Sequence, residues 1–322
     1  MAIDPSPATL VARAAPDVPR APDPSTVQPE HTDVVRRFNR SYTQRVGALE
    51  ESFLGLGMAL GTARLLYEIG VEPGTARDLR SRLGLDSGYL SRLLRRLEAD
   101  GLVRVEPDPG DRRRRRVELT AAGRRTWGEL EERSADRARD LIAPLTARQR
   151  DRLSAALAEA DLLVRAATVA IEPVPPTSAL ARRAVVAFFD EVGARIGGGE
   201  TLDVDAALAA DAEHLVAPRG AFVVAVSDGV PVACGGVQPL EDGAAEIKRM
   251  WVDDAWRGAG LGSRLLRHLE GAARDLGHDV VRLDTNGALT EAVAMYERAG
   301  YRSIERYSDN PHATHFFAKN LR

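Results

Sequence analysis

The chain has 322 residues, of which 44% are apolar and 28% charged, and a formal net charge of −3. That length exceeds what one hydrophobic core usually organises, so two domains are expected. No run approaches the ~18 apolar residues of a membrane-spanning helix, which predicts no membrane partner. A single cysteine, Cys234, excludes an internal disulfide, and the N-terminus lacks a basic start followed by an apolar core. Both features predict a cytoplasmic protein.

The net charge hides an asymmetry. Residues 32–165 carry 26 Lys+Arg against 21 Asp+Glu, whereas residues 166–322 carry 16 against 22. The basic half suits nucleic acid and the acidic half a cationic small molecule.

Residues 1–31 are rich in Pro, Ala and Asp and are expected to form a disordered tail. From Val34 to Leu66 apolar residues recur at helical spacing until "GVEPG" breaks the pattern, so two successive helices are predicted. "TARDLRSRLGLDSGYLSRLLRRLEADGLV" then reads as a short helix opened by Thr75, a turn at Gly84 and a second helix capped by Asp86 or Ser87. That is helix-turn-helix spacing. The strands "LVRVEP" and "RVELT", joined by "DPGD", predict a β-ribbon with arginines at its tip. Helix-turn-helix and basic ribbon together make a winged helix.

Over residues 32–165 the chain resembles the MarR family of bacterial regulators. The carrying residues are "LDSGYLSRLLRRLEADGLV", Asp111, Arg112 and "LTAAG" ending at Gly123. The resemblance implies that the Asp86–Glu98 helix enters the major groove of double-stranded DNA, with Ser87, Tyr89, Ser91, Arg92 and Arg95 facing bases or phosphates. Arg112, Arg113, Arg114 and Arg115 of the wing would lie along the minor groove. It also implies a homodimer made by interlocking helices near residues 32–50 and 125–165, hence a pseudo-palindromic DNA site. Each assignment has a plainer alternative. A charge run also suits a solvated face, Arg95 and Arg96 also suit ion pairs with Glu98 or Asp100, and Tyr89 also suits packing.

Around Ala166 the helical pattern gives way to "AATVAIEPVPPTSA", whose prolines cannot continue a helix. A domain boundary is expected near Arg165. Beyond it the predicted order is a strand at "TVAIEPV", a helix over 178–196 and a hairpin in "FVVAVSDGVPVACGGVQPL" around Asp228 and Gly229. A strand at "AEIKRMWV", a glycine turn, a helix over 260–276, a strand "DVVRLDT" and a helix over 289–299 follow, with terminal strands near "YRSIERY" and "THFFAKN". The order is mixed α/β.

"RGAGLG" follows a strand and opens a helix, but it lacks the spacing of a dinucleotide fingerprint and the ending of a P-loop. It offers backbone N–H groups at a helix N-terminus, where the dipole favours an anion such as a pyrophosphate. With this pattern residues 166–322 resemble the GNAT family of acyl-CoA N-acyltransferases, whose R-x-x-G-x-G motif is matched by Arg257, Gly260 and Gly262. The resemblance implies acetyl-CoA as co-substrate, held by Met250, Val252, Arg257, Gly258, Gly260, Leu261 and Gly262. It places the general base at Glu246 and the general acid at Tyr296, with the backbone N–H of Met250 polarising the thioester carbonyl.

Period-two alternation is expected to put Glu246 and Met250 on one face of their strand. Glu246 equally suits an ion pair with Lys248 or Arg249, and Tyr296 equally suits helix packing. Where the family keeps a cofactor-binding asparagine this chain has Leu289, and Asn286 is the nearest substitute. His312 and His315 lack a third ligand at metal spacing, so no metal is expected. Cys234, between "VA" and "GG", suits the core better than nucleophilic work.

The expected architecture is therefore a mainly α winged helix-turn-helix domain followed by a mixed α/β GNAT domain. The expected function is a DNA-binding transcriptional regulator that also moves an acetyl group from acetyl-CoA to an amine acceptor, either a small molecule or a lysine side chain. The alternatives are a regulator whose second domain senses acetyl-CoA or an amine without turnover, and a protein acetyltransferase guided by its DNA-binding half.

Overall fold

The computed structural model describes residues 27–108, 114–196, 204–227 and 229–322. Most of the expected tail, the wing tip with Asp111, Arg112 and Arg113, and Asp228 lie outside the described residues. The chain divides between Glu159 and Ala160 into two compact units.

In the first unit, helix α1 (Pro29–Arg45) begins with Pro at its first turn, inside the segment assigned to the tail. A 3₁₀ turn at Phe53–Gly55 precedes α2 (Leu60–Val71). Thr75 opens α3 (Ala76–Leu83) with a reciprocal capping box to Asp78, and Gly84 closes it in the left-handed region, as only an unbranched backbone does without strain. Asp86 caps α4 (Ser87–Ala99) by accepting from the Tyr89 N–H at 2.9 Å. A three-stranded sheet follows, in the order β1 (Gly74–Thr75), β3 (Arg115–Leu119), β2 (Val103–Pro107). Its short first strand was not legible in the sequence. Thr120 then caps α5 (Ala121–Ile142), and α6 (Ala147–Thr168) runs across the division between the units. The core gathers Leu65, Leu66 and Ile69 of α2 with Leu79, Leu90, Leu97 and Val117. These are the apolar stripes of α2 to α4 closed against the inner face of the ribbon.

The second unit is built on a seven-stranded sheet. Its order is β4 (Ile171–Pro173), β5 (Ala221–Ser227), β6 (Val230–Pro239), β7 (Ala245–Val252), β8 (Val280–Thr285), β10 (His315–Asn320), β9 (Arg302–Ser303). Every neighbouring pair is antiparallel except β7 and β8. One face packs against α9 (Leu261–Asp275) and α10 (Thr290–Arg298), the other against α7 (Ala179–Ile196) and α8 (Val204–Asp211). The expected terminal strand at "YRSIERY" contracts to Arg302–Ser303, and α8 is a helix that the sequence reading missed. Arg264 on α9 donates to the carbonyls of Ala166 (2.9 Å) and Val169 (2.6 Å), which closes the end of α6.

Two features of this sheet create the site. Arg249 has φ of 52° and lies in a bulge where β7 carries one residue more than β6. In addition, β7 and β8 are paired only at Ala245↔Val281 and Glu246↔Arg282, after which the parallel strands separate.

Candidate functional site

The exposed face of α4 brings together the residues singled out for DNA. Ser87, Tyr89, Ser91, Arg92 and Arg95 are all exposed, while Leu90, Leu93 and Leu97 of the same helix are buried. The Arg92 guanidinium lies over the Tyr89 ring at 5.6 Å. Arg95 Nε donates to the Ser91 carbonyl (3.2 Å), and Arg96 pairs with Asp100 (2.9 Å). The ion pair expected of either arginine is therefore made by Arg96. In the wing, Arg114 and Arg115 are exposed, and the Arg114 carbonyl accepts from the Asp108 N–H across the ribbon. Arg116 turns toward Glu118 of the same strand (2.9 Å) and reaches Asp108 across the ribbon (4.0 Å).

In the second unit the parting of β7 from β8 opens a cavity of about 640 Å³. Glu246, Met250, Tyr296 and Asn286 all line it, together with Phe188 and Phe189 of α7 and Tyr307 from the segment between β9 and β10.

The expectation that alternation puts Glu246 and Met250 on one face is overturned by the bulge. Ala245 and Ile247 pack into the cluster under α9, and so do Met250 and Val252, whereas Trp251 packs into the cluster under α7. The extra residue at Arg249 reverses the alternation, so Glu246 and Met250 point to opposite faces. They reach one cavity because the sheet is open there.

Glu246 is 6% exposed, and both carboxylate oxygens are engaged: Oε1 accepts from Tyr307 Oη (2.9 Å) and Oε2 from Gln238 Nε2 (2.8 Å). Lys248 Nζ stands 3.9 Å from Oε2. The buried ring of Tyr296 packs near Tyr301 and Phe317, and its Oη lies 3.8 Å from Met250 Sδ. Burial, and then the negative charge of Asp284, push its phenol above the ordinary range, so it stays protonated and able to donate. Both ends of the Asn286 amide are engaged, accepting from the Ala288 N–H in its own turn (2.9 Å) and donating to the His312 carbonyl of the segment before β10 (2.7 Å).

The glycine turn links β7 to α9. Gly258 and Gly260 have φ of 79° and 83°, and a Cβ on either would meet nothing within 4 Å. Gly260 begins α9 without a side-chain cap, which leaves the first N–H groups of the helix pointing out of it. Gly262 differs, because an added Cβ would come within 3.1 Å of Met295 Sδ. Its lack of a side chain serves the packing of α9 on α10. Leu261 is fully buried. Arg257 donates to Glu191 and to the Val252 carbonyl (3.0 Å) and pairs with Asp254 (2.9 Å). Glu191, which also accepts from Trp251 Nε1 (2.8 Å), escaped the sequence reading, although an acid amid the apolar residues of "AVVAFFDEVGARI" was a signal.

Cys234 is fully buried and donates to the Arg249 carbonyl (3.4 Å); burial pushes its thiol up to about 12, which fits a core position. His312 and His315 belong to no group of three or more metal-ligating side chains among the described residues. No described helix is long and apolar enough to cross a membrane.

A cavity between parting parallel strands, beside a strand that runs into a glycine-opened helix, defines an acyltransferase-type unit. Known proteins agree. The acetyltransferase (GNAT) family model matches residues 195–301, and the MarR family model matches residues 56–114. An uncharacterized N-acetyltransferase of Schizosaccharomyces pombe is 32% identical over 111 residues, which span 34% of this chain and 68% of that protein. An IAA acetyltransferase of Azospirillum brasilense is 35% identical over 92 residues, which are 28% of this chain and 60% of that relative's length. Among solved structures, a GNAT-family acetyltransferase from Staphylococcus aureus is similar at 19% identity and a TM-score of 0.43, covering 48% of this chain and 100% of that one. Apo MarR from E. coli is similar at 26% identity and a TM-score of 0.36, covering 39% and 96%. The chain belongs to the GNAT acetyltransferase family through its second unit, and its first unit carries the match to the MarR family model.

Proposed function

We propose that the protein is a DNA-binding regulator whose second unit transfers an acetyl group from acetyl-CoA to an amine. The observation that carries the reading is the meeting of Glu246 and Tyr296 in one cavity, although they come from different elements. The open space over Gly258 and Gly260 fits a group that must approach bare backbone, as a pyrophosphate does. Acetyl-CoA would be held there by the N–H groups of Gly260, Leu261 and Gly262, with Met250 and Val252 alongside, and it supplies an acetyl group activated as a thioester. Arg257 shapes the loop through Glu191 and Asp254. Asn286 holds its own turn through the Ala288 N–H and ties it to the His312 carbonyl.

Glu246 takes the proton of the acceptor amine, directly or through water, and Tyr296 Oη holds the proton that a departing thiolate needs. The backbone N–H of Met250 polarises the carbonyl under attack. The aromatic wall of Phe188, Phe189 and Tyr307 suits an acceptor with an apolar body.

For the first unit, the exposed α4 face and the wing arginines support binding to double-stranded DNA. Helix α1 buries none of its residues and leaves Val34, Val35, Phe38 and Tyr42 exposed, which supports a homodimer made through this helix. A two-fold dimer would read a pseudo-palindromic site.

The test is thiol release from acetyl-CoA across amines, amino acids and lysine peptides. In Glu246→Gln the acidic limb of the pH profile should disappear, with rates approaching wild type only where free amine is abundant. A wild-type profile in that variant removes Glu246 as the base. A screen that never rises above hydrolysis, together with DNA affinity shifted by acetyl-CoA, points to the sensor instead.

A further inference from the structure

The carboxylate of Glu246 is held by two donors of different origin. Gln238 stands opposite it in register on β6, so its contact is local to the sheet. Tyr307 comes from the non-helical segment between β9 and β10, 61 residues further along the chain. A phenol carried on such a segment needs its own support, because a loop does not aim a side chain by itself.

That support is present on three sides. The Arg282 guanidinium lies over one face of the Tyr307 ring at 5.6 Å, and is itself paired with Asp242 at 2.6 Å. Phe316 meets the ring edge-on, at 5.9 Å and 81°. Asp284, at the end of β8, accepts from Ser308 Oγ (2.6 Å) and Asn310 Nδ2 (3.0 Å), and so ties down the residues that follow Tyr307. A chain of contacts therefore runs from Asp284 through the segment to Tyr307 and on to Glu246.

Burial, then the charges of Glu246 and Asp284, push the Tyr307 phenol far above its ordinary range. Its Oη keeps its proton and acts toward the carboxylate as a donor. Lys248 Nζ stands 3.9 Å from the Glu246 carboxylate, and Arg249, Asp284 and Asp309 line the same cavity.

We propose that Tyr307 is a positioning residue whose hydroxyl aims the Glu246 carboxylate into the acceptor cavity. This role rests on the reading of Glu246 as the base. It places the 304–314 segment in the machinery of the site as well as in its wall.

The experiment reads the carboxyl 13C signal of Glu246 in the full chain at one fixed pH, with glutamate carrying carboxyl 13C and the signal assigned by its loss in Glu246→Gln. It is read without acetyl-CoA or amine. Tyr307→Phe keeps the ring against Arg282 and Phe316 and removes only the donor. The Glu246 carboxyl signal should move, because one of the two donors to that carboxylate is gone. Ser308→Ala, which loosens the segment and leaves Tyr307 intact, should move it the same way by less. An unmoved signal in folded Tyr307→Phe overturns the proposal; if that variant does not fold, an unmoved signal in Ser308→Ala does so. Failure of the base reading shows elsewhere, as an unaltered acidic limb for Glu246→Gln in the thiol-release assay. That outcome removes the catalytic purpose of Tyr307 even where the signal moves.

Discussion

The two units arrange their candidate chemistry in opposite ways. On α4 and the ribbon, Ser87, Ser91, Arg92, Arg95, Arg114 and Arg115 stand exposed on rigid elements, with the buried leucines of the same helix fixing which way they face. In the second unit Glu246 and Tyr296 are 6% and 5% exposed and depend on neighbours for their direction. An exposed face meets a polymer and loses affinity by degrees as contacts are removed. A buried pair acts on one reacting centre, where single atoms matter.

That difference predicts the steepest losses in the second unit. Gly260→Val should lower acetyl-CoA affinity by about 100-fold or more, since a branched side chain at φ of 83° fills the open space over the turn and strains the backbone. Gly262→Ala should act otherwise, because its new methyl meets Met295 Sδ and tests packing of α9 on α10. Calorimetry on folded protein separates them. Near-normal acetyl-CoA affinity in Gly260→Val would take the glycine turn out of the site.

Next in size is Tyr296→Phe, for which turnover should fall by about 10²-fold with acetyl-CoA affinity nearly intact. The substitution keeps the ring contacts with Tyr301 and Phe317 and removes only Oη. Steady-state rates and binding measured on the same preparation check it. A parallel fall in both would make Tyr296 a packing residue, the reading its burial also suits.

What the sequence disclosed follows the same division. The capping box at Thr75, the left-handed Gly84 and the Asp86 cap are local devices, so the helix-turn-helix was legible from residues within a few positions of each other. The glycine-opened α9 was legible for the same reason. The bulge at Arg249 was not, because an extra residue in β7 becomes visible only against its partner β6. Gln238, Asp284, Glu191 and Tyr307 were missed because their roles come from contacts across strands or between distant segments. Helix α8, "VDAALAAD", lacks a clear apolar stripe and gave no periodic signal.

The smallest expected effects lie on the exposed face, and there α4 and the ribbon can be told apart. Arg92→Ala should cost about 1–3 kcal/mol at one cognate base pair and little elsewhere, if its guanidinium leaves the Tyr89 ring to read a base. Replacing Arg114 and Arg115 together with alanine should weaken binding to every duplex and flatten the salt dependence by up to about one unit per lost phosphate contact. Arg116 is kept in that variant, since it reaches Asp108 across the ribbon and its loss would confuse support with contact. Affinities are measured over a salt series on a cognate and an unrelated duplex. A salt slope equal to wild type removes these two wing arginines from the interface, and a uniform loss across sequences for Arg92→Ala moves that residue from base to phosphate.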